Sequence, residues 1–424
     1  MRSTQIMLRL IRHMSVAILL LSLIFSSPKS DTINAQDNDD REEMVTGNNA
    51  FAFDLYQQVI ADNDGNIIFS PFSISQAFAM VVAGAKGETE QQIMDTMHFT
   101  LLQPQLHPAF SNINSDLSER SMRSGREPDG SRLQLNIANS LWSQAGYPFQ
   151  QTYLDTIKKF YGSEAHSVDF AQTEDTRQII NGWIEEKTEN KIQDMLAPDD
   201  LSPFTRLVLV NAIYFNASWR TDFPEAATHD DTFTLVDGST VTVPMMKQTS
   251  WFSFMFEDNF QTVELPYVGE DTRMLIIMPD EGTFDDFEAT FDEEQFSEIR
   301  HTFGVSELHL YMPRFEIKTD FSLKPYLTTM GMVEAFGFDA DLSGIYDRQQ
   351  AQENLYIGDA LHQAFIAVDE AGTEAAAATA AMGMGGGGQA PTPMEFRIDH
   401  PFIYIIHDRV TGSILFMGRV LDPS

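Results

Sequence analysis

Residues 370–396 read EAGTEAAAATAAMGMGGGGQAPTPMEF. Glu370 to Glu374 leads into a run of Ala and Thr from Ala375 to Ala381. Met382-Gly383-Met384 leads into four glycines, Gly385 to Gly388, and Pro391-Thr392-Pro393 marks the exit before an apolar segment at Phe396. Taken alone, an alanine run is a good helix former and a glycine run is a flexible linker, so a helix followed by a linker is one reading. The context supports another. Two strand-like runs follow, Phe402 to Ile406 and Ile414 to Val420, so the segment lies between sheet elements. A long loop without structure of its own inside a compact domain is usually functional. Written as a strand, its residues alternate between two faces. Thr373, Ala375, Ala377, Thr379 and Ala381 share one face, and Glu374, Ala376, Ala378 and Ala380 share the other. The first face is small and uncharged, and no proline from Gly372 to Gly388 removes a backbone donor. Such a segment can enter the middle of an existing sheet without burying a charge or forcing a gap.

The chain around it has 424 residues, no cysteine, 43% hydrophobic residues and 62 acidic against 27 basic side chains, a net charge of −35. Its length permits one large domain or about two to three ordinary ones, with enough apolar residues for a substantial core. The charge argues against nucleic acid and anionic membrane surfaces and is compatible with a saline environment. Without cysteine there is no disulfide or thiol chemistry. G-x-S-x-G, H-E-x-x-H, P-loop and Rossmann glycine patterns are all missing from the sequence, so an enzyme is not expected. His229-Asp230-Asp231 is the nearest approach to a metal cluster and reads as a solvated acidic turn; no metal or cofactor is expected. Arg2, Arg9 and Arg12 precede an apolar run from Val16 to Phe25, too short to span a bilayer and laid out like a secretory signal. Thr32-Ile33-Asn34-Ala35 offers a cleavage site after Ala35; the alternative is an uncleaved membrane anchor. The expected organisation is a signal peptide at 1–35, a disordered polar tail at 36–45, and a single secreted, monomeric domain at 46–424.

Locally, Phe51, Leu55 and Val59 recur at helical spacing between Glu42 and Ala61. Asp62 to Asn66 is a turn; it faintly suggests a calcium loop, but Ile67 stands where that loop needs glycine. Ile67-Ile68-Phe69 reads as a short strand. Ser70 is placed to cap a helix with Pro71 in its first turn, broken by Gly84 and Gly87. Thr89 with Gln92 reads as a capping box opening the next helix. Ser124 to Gly130 is a solvent loop. Leu133 to Trp142 has strand character, and Asn181 to Leu196 is amphipathic. Leu207 to Phe215, LVLVNAIYF, is apolar on both faces, as a fully buried strand requires, and Asn211 in its middle must find partners. Asn216-Ala217-Ser218 is a glycosylation sequon.

Several strings occur in one order: NIIFSPFSISQAFAMVVAGAKGETEQQIMDTMHF at 66–99, LQLNIANSLW at 133–142, LVLVNAIYF at 207–215 with Trp219 beyond, and Pro244-Met245-Met246. Val263 to Tyr267, Met274 to Pro279, YMPRF at 311–315 and Met330-Gly331-Met332 follow. The last are His362 to Glu370 with GTEAAAATAA beyond, His400-Pro401-Phe402 and LFMGRV at 415–420. Together they resemble the serpins, the serine protease inhibitor family, from Asn66 to Pro423. The resemblance implies an α+β fold of about nine helices around about three β-sheets, with residues 371–395 as an exposed reactive-centre loop. It implies that a target serine protease attacks the loop and forms an acyl-enzyme. Cleavage then lets the loop insert between two strands of the central sheet, dragging and distorting the protease before water can deacylate it. From Gly372 to Gly386 a strand would run on the order of 45 Å.

Site roles follow the same resemblance. Glu370, Gly372, Thr373, Glu374, Ala375, Ala376, Ala377, Ala378 and Thr379 form the hinge. Glu370 and Arg314 beside Trp219 form the breach where insertion starts. Ser70, Ser73, Asn211 and His362 form the shutter beneath the sheet centre. The hinge count puts the reactive bond at Gly386-Gly387; counting back from Pro401 gives Gly388-Gln389, and Met384-Gly385 offers a side chain to a protease pocket. No Arg or Lys lies between Glu370 and Arg397, so an elastase-, subtilisin- or chymotrypsin-like target is expected, not a trypsin-like one. In the region from Leu101 to Arg132, which in many serpins carries heparin-binding residues, no basic cluster precedes Arg120, so no heparin site is expected. The alternative is a non-inhibitory member acting as carrier, chaperone or storage protein. Hinges of that kind tend to carry bulky, charged or proline residues, which the face of this one formed by Thr373, Ala375, Ala377 and Thr379 lacks.

Overall fold

A strand apolar on both faces has neither to give to water, and the run at 207–215, polar only at Asn211, lies in the interior of a sheet with every residue buried. The computed structural model describes residues 35–124, 132–163, 165–351, 353–373 and 393–424. Fifteen strands are formed among them. They are β1 (Ile67–Phe69), β2 (Leu133–Gln144), β3 (Ala165–Val168), β4 (Leu207–Ser218), β5 (His229–Thr234), β6 (Thr240–Phe256), β7 (Phe260–Pro266) and β8 (Thr272–Pro279). After these come β9 (Gly304–Pro313), β10 (Phe315–Ser322), β11 (Asp359–Val368), β12 (Gly372–Thr373), β13 (Met394–Arg397), β14 (Phe402–Asp408) and β15 (Ile414–Val420).

One sheet has six strands in the order β10-β11-β12-β4-β2-β3, with β11 also paired directly to β4. The other has nine, in the order β1-β15-β14-β8-β7-β6-β9-β13, with β5 on β6. Two of the three expected sheets are thus one hydrogen-bonded surface. The reason is β6, 17 residues long. Its first part pairs with β5, its second part with β7, and β9 runs along it from Met245 to Phe254. Nine α-helices accompany the sheets among the described residues. On one face of β4, Leu207, Leu209, Ile213, Phe215 and Ala217 join the main core, where helix Pro71–Val82 is wholly buried. On the other face, Val208, Val210 and Ala212 pack with Ile180 and Ile184 of helix Thr173–Lys187.

Ser70 caps helix Pro71–Val82 as its sequence predicts, its side chain accepting from Ser73 N. The capping box at Thr89 does not form. Helix Gly87–Thr96 starts two residues earlier, without a side-chain cap. Thr89 Oγ1 instead donates to Glu334 (2.9 Å), while Gln92 accepts from Val333 N and Glu334 N. Tertiary partners have taken both groups. The polar tail expected at 36–45 is likewise helical, inside helix Ala35–Ala61. Arg41 there pairs with Asp116 at 2.5 Å, and Glu43 accepts from Thr100 at 2.6 Å. The expected signal segment falls largely outside the described residues.

The turn at 62–66 is built around a guanidinium, with Arg419 donating to the carbonyls of Asn63 and Gly65. His229-Asp230-Asp231, expected as an acidic turn, instead opens strand β5, paired with Met245, Pro244 and Val243 of β6; Asp231 pairs with Arg397 at 2.6 Å, and no metal-holding group is found among the described residues. No helix among them is long and apolar enough to cross a membrane. Asn216, the sequon asparagine, is 1% exposed in β4 and donates to Tyr214 Oη at 2.9 Å.

Candidate functional site

Strands β4 and β11 run parallel and pair from Val208–Asp359 up to Tyr214–Phe365. Beyond that point they part, and Gly372–Thr373 fills the gap between them. Gly372 stands opposite Ser218, and Thr373 opposite Ala217 on one side and Val368 on the other, antiparallel to both strands. Only glycine fits at 372, because a Cβ there would lie 2.1 Å from the Ala217 carbonyl oxygen. Thr373 is fully buried and its hydroxyl meets Tyr267 Oη at 2.8 Å. Tyr267 stacks on Trp219 with centroids 4.5 Å apart. Thr373 therefore faces the core, as expected for the small, uncharged face of the segment.

The residues before the gap are held from several directions. Trp219 Nε1 donates to Asp369 O at 3.0 Å, Trp219 N to Ala371 O at 2.9 Å, and Phe223 N to Glu370 O at 2.8 Å. The Asp369 carboxylate accepts from the amides of Ala371 and Gly372, yet burial outweighs those bonds and raises its pKa. Glu370 is nearly buried and receives Arg314 Nε at 2.9 Å, Arg314 Nη2 at 2.5 Å and the Thr228 hydroxyl. Burial pushes its carboxyl up, but the bonds from Arg314 and Thr228 prevail and hold it below the ordinary value. Trp219, Arg314 and Glu370 are thus brought together. Thr228, Phe223, Tyr267 and Asp369 complete the cluster. Sequence reading missed them because each is supplied by a turn or strand whose register it does not reveal.

Below the gap lies a second polar cluster. The amide of Ser70 donates to His362 Nε2 at 3.2 Å, so the ring proton sits on Nδ1 and is given to Asn211 Oδ1. Asn211 Nδ2 donates to Ser73 Oγ at 2.7 Å and to Asn139 Oδ1. Asn139 Nδ2 returns to Ser73 O at 3.0 Å, and Ser70 Oγ donates to Leu415 O at 2.6 Å. Burial lowers the pKa of His362 to about 3, so the ring is neutral. Ser70, Ser73, Asn211 and His362 all meet here, tying helix Pro71–Val82 to β4 and β11. Asn139 of β2 joins them. Its signal was present, since it lies on the core face of LQLNIANSLW, where a polar residue must be partnered.

Glu374, Ala375, Ala376, Ala377, Ala378 and Thr379, and the candidate reactive bonds from Met384 to Gln389, lie outside the described residues. The chain is described again from Pro393, and β13 pairs in parallel with β9, Met394 opposite Leu308.

A family model, "Serpin (serine protease inhibitor)", matches residues 46–423. A serpin-like protein of Thermococcus kodakarensis is 40% identical over 382 residues, 90% of this chain and 86% of that one. Leukocyte elastase inhibitor of Xenopus tropicalis is 35% identical over 392 residues, 90% of this chain and 100% of the relative. Among solved structures, human thyroxine-binding globulin with bound thyroxine superposes with a TM-score of 0.79 at 29% identity, covering 91% of this chain and 100% of the other. Serpin48 of the insect Tenebrio molitor gives 0.78 at 29% identity, covering 90% and 98%. The sheet gap with its seated glycine, the fold around it and a family match over nearly the whole chain lead to one conclusion: the chain belongs to the serpin family of serine protease inhibitors.

Proposed function

We propose that this serpin is a secreted suicide-substrate inhibitor of elastase-, subtilisin- or chymotrypsin-like serine endopeptidases, trapping the acyl-enzyme by inserting its cleaved loop. The observation that carries this reading is the register of Gly372–Thr373 between β4 and β11. Thr373 opposes Ala217 and Val368. Carried six positions further along the same antiparallel register, Thr379 would oppose Asn211 and His362, and its hydroxyl would face the shutter cluster. Glu374 would fall beside Asn216, on the face away from the main core. Gly383 would oppose Leu207, where β4 begins. The candidate bonds at Met384-Gly385, Gly386-Gly387 and Gly388-Gln389 all lie beyond that point, so cleavage at any of them frees a strand as long as the slot.

In this mechanism the inhibitor's residues supply a substrate and then a displacement. The protease serine attacks the loop carbonyl and the C-terminal fragment leaves. The freed strand then gains backbone partners on both sides as β4 and β11 part. The product is held kinetically, because deacylation requires an active site that has been pulled out of shape.

The test is to mix the protein with elastase, subtilisin, chymotrypsin and trypsin, run denaturing gels and weigh the released C-terminal peptide. A complex stable in SDS is expected with one of the first three, and the peptide mass identifies the bond. The fold also serves as a carrier, as the thyroxine-binding neighbour illustrates. Clean loop cleavage with no complex and no gain in thermal stability would favour a carrier, chaperone or storage role.

A further inference from the structure

The most exposed large apolar side chains among the described residues are Phe338, at 80%, and Phe204, at 79%. Both belong to one end of the six-stranded sheet. Phe204 comes three residues before Leu207, where β4 begins. There the amide of Gly358 donates to Leu207 O at 3.1 Å. Tyr356 comes two residues before Gly358, and its ring meets that of Phe338 edge-on, with centroids 5.0 Å apart. Both segments are fixed by hydrogen bonds. Ser202 Oγ accepts from Phe204 N at 3.1 Å, and Ser202 N donates to Thr205 Oγ1 at 3.0 Å. Asn354 Nδ2 donates to Phe338 O at 2.9 Å. Arg206 pairs with Glu353 at 2.8 Å and so joins the two segments. Apolar side chains exposed singly are ordinary on a protein surface. Here two joined, ordered segments present aromatic rings around the same strand ends.

An inserted strand would emerge at those ends. Carried on from Thr373, opposite Ala217 and Val368, the antiparallel register puts Gly383 opposite Leu207 on one side and Gly358 on the other. A cut at Met384-Gly385, Gly386-Gly387 or Gly388-Gln389 leaves the acyl carbon one to five residues further on. At strand rise that is a tether of at most about 17 Å. Phe204 lies within about 10 Å of chain from Leu207, and Tyr356 closer still to Gly358. So short a tether holds the protease against the aromatic rim. A protease that has lost its packing exposes apolar side chains. An ordered apolar surface binds such groups at little cost in its own ordering.

We infer that Phe204, Phe338 and Tyr356 form a capture surface for the deformed protease, binding the apolar side chains that its distortion exposes and delaying its recovery and release. The inference rests on the inhibitory function proposed above. The test compares the parent with Phe204→Ser/Phe338→Ser and with Phe204→Leu/Phe338→Leu, which keeps both positions apolar. The three uncleaved proteins should melt alike, since both side chains are exposed. They should form SDS-stable complex at the same stoichiometry, because the rim is met only after insertion. Purified complexes should then differ: active protease should return about tenfold faster from the serine variant than from the parent, with the leucine variant close to the parent. Amide exchange in residues 202–206 and 333–340 should be slower in the parent complex than in cleaved inhibitor alone. Equal release from parent and serine-variant complexes would overturn the inference and leave the inhibitory reading standing. A parent that forms no complex would sink both. A dimer of the uncleaved parent in sedimentation, abolished in the serine variant, would assign the rim to a second copy of the chain and overturn the inference as well.

Discussion

His362 sits where stability and pH meet. Burial lowers its pKa to about 3, and that of His107 to about 4. In the unfolded chain a histidine takes up its proton near pH 6.5, so between that value and the folded ones the unfolded state binds protons that the folded state refuses. The contribution is fully present above about pH 6.5 and is lost as pH falls, by up to ~1.4 kcal/mol per pH unit for each ring. His362→Gln should therefore flatten the pH dependence of unfolding free energy between about pH 6.5 and 4, measured by denaturant titration. An unchanged slope would mean the His362 ring is not the group responsible. Gly372 makes a second prediction at this scale. Gly372→Ala places a methyl against the Ala217 carbonyl and should lower stability by about 1–3 kcal/mol. Trp219 fluorescence should change as Thr373 leaves its seat beside Tyr267; a spectrum identical to the parent's would refute that. Ser70, Ser73, Asn211 and His362 could be read from their strings; Asn139 gave a signal as a polar residue on the core face of its string, but its partners are fixed only when β2 aligns with β4, Asn139 opposite Asn211.

Among the elements, β12 was the most legible, because strand alternation alone puts Thr373 on the small face and Glu374 on the other. Thr373 is fully buried against Tyr267, so Thr373→Arg would force a guanidinium into an apolar slot. The expected outcome is a protein still cut by its protease but yielding cleaved monomer in place of SDS-stable complex on a gel; full retention of complex would refute the hinge assignment. The misread elements share one cause. Thr89 and Gln92 form a capping pattern in sequence, but residues 333–334 arrive to use both side chains. The stretch 36–45 looks too polar to fold, yet Arg41 and Glu43 find Asp116 and Thr100 at ion-pair and hydrogen-bond distance. Local propensity cannot anticipate partners brought from more than fifty residues away.

For the whole molecule, charge is the main lever. A net charge of −35 opposes compactness through self-repulsion. Raising salt from about 0.1 to about 1 M shortens the screening length from about 10 to about 3 Å. The unfolding midpoint should rise over that range in calorimetry, and a falling midpoint would mean that attractive pairs dominate. The partly exposed Arg314–Glu370 pair works in the other direction and is weakened by salt. The overall fold was legible because the strings at 66–99, 207–219 and 362–374 keep their order. The fusion of two sheets was not, because the continuity of β6 through Ser250 and Trp251 depends on β9 lying along it.

The burial of Asn216 bears on how the protein is made. A eukaryotic secretory pathway glycosylates nascent chains, and it would meet Asn216-Ala217-Ser218 before β2 and β4 have closed over it. A sugar attached then has no place in an interior strand, so the modified chains would be retained as misfolded glycoprotein while unmodified ones are exported. Expression in a host without that transferase avoids the loss. Where such a host cannot be used, Ser218→Ala abolishes the acceptor and leaves Asn216 and its bond to Tyr214 in place.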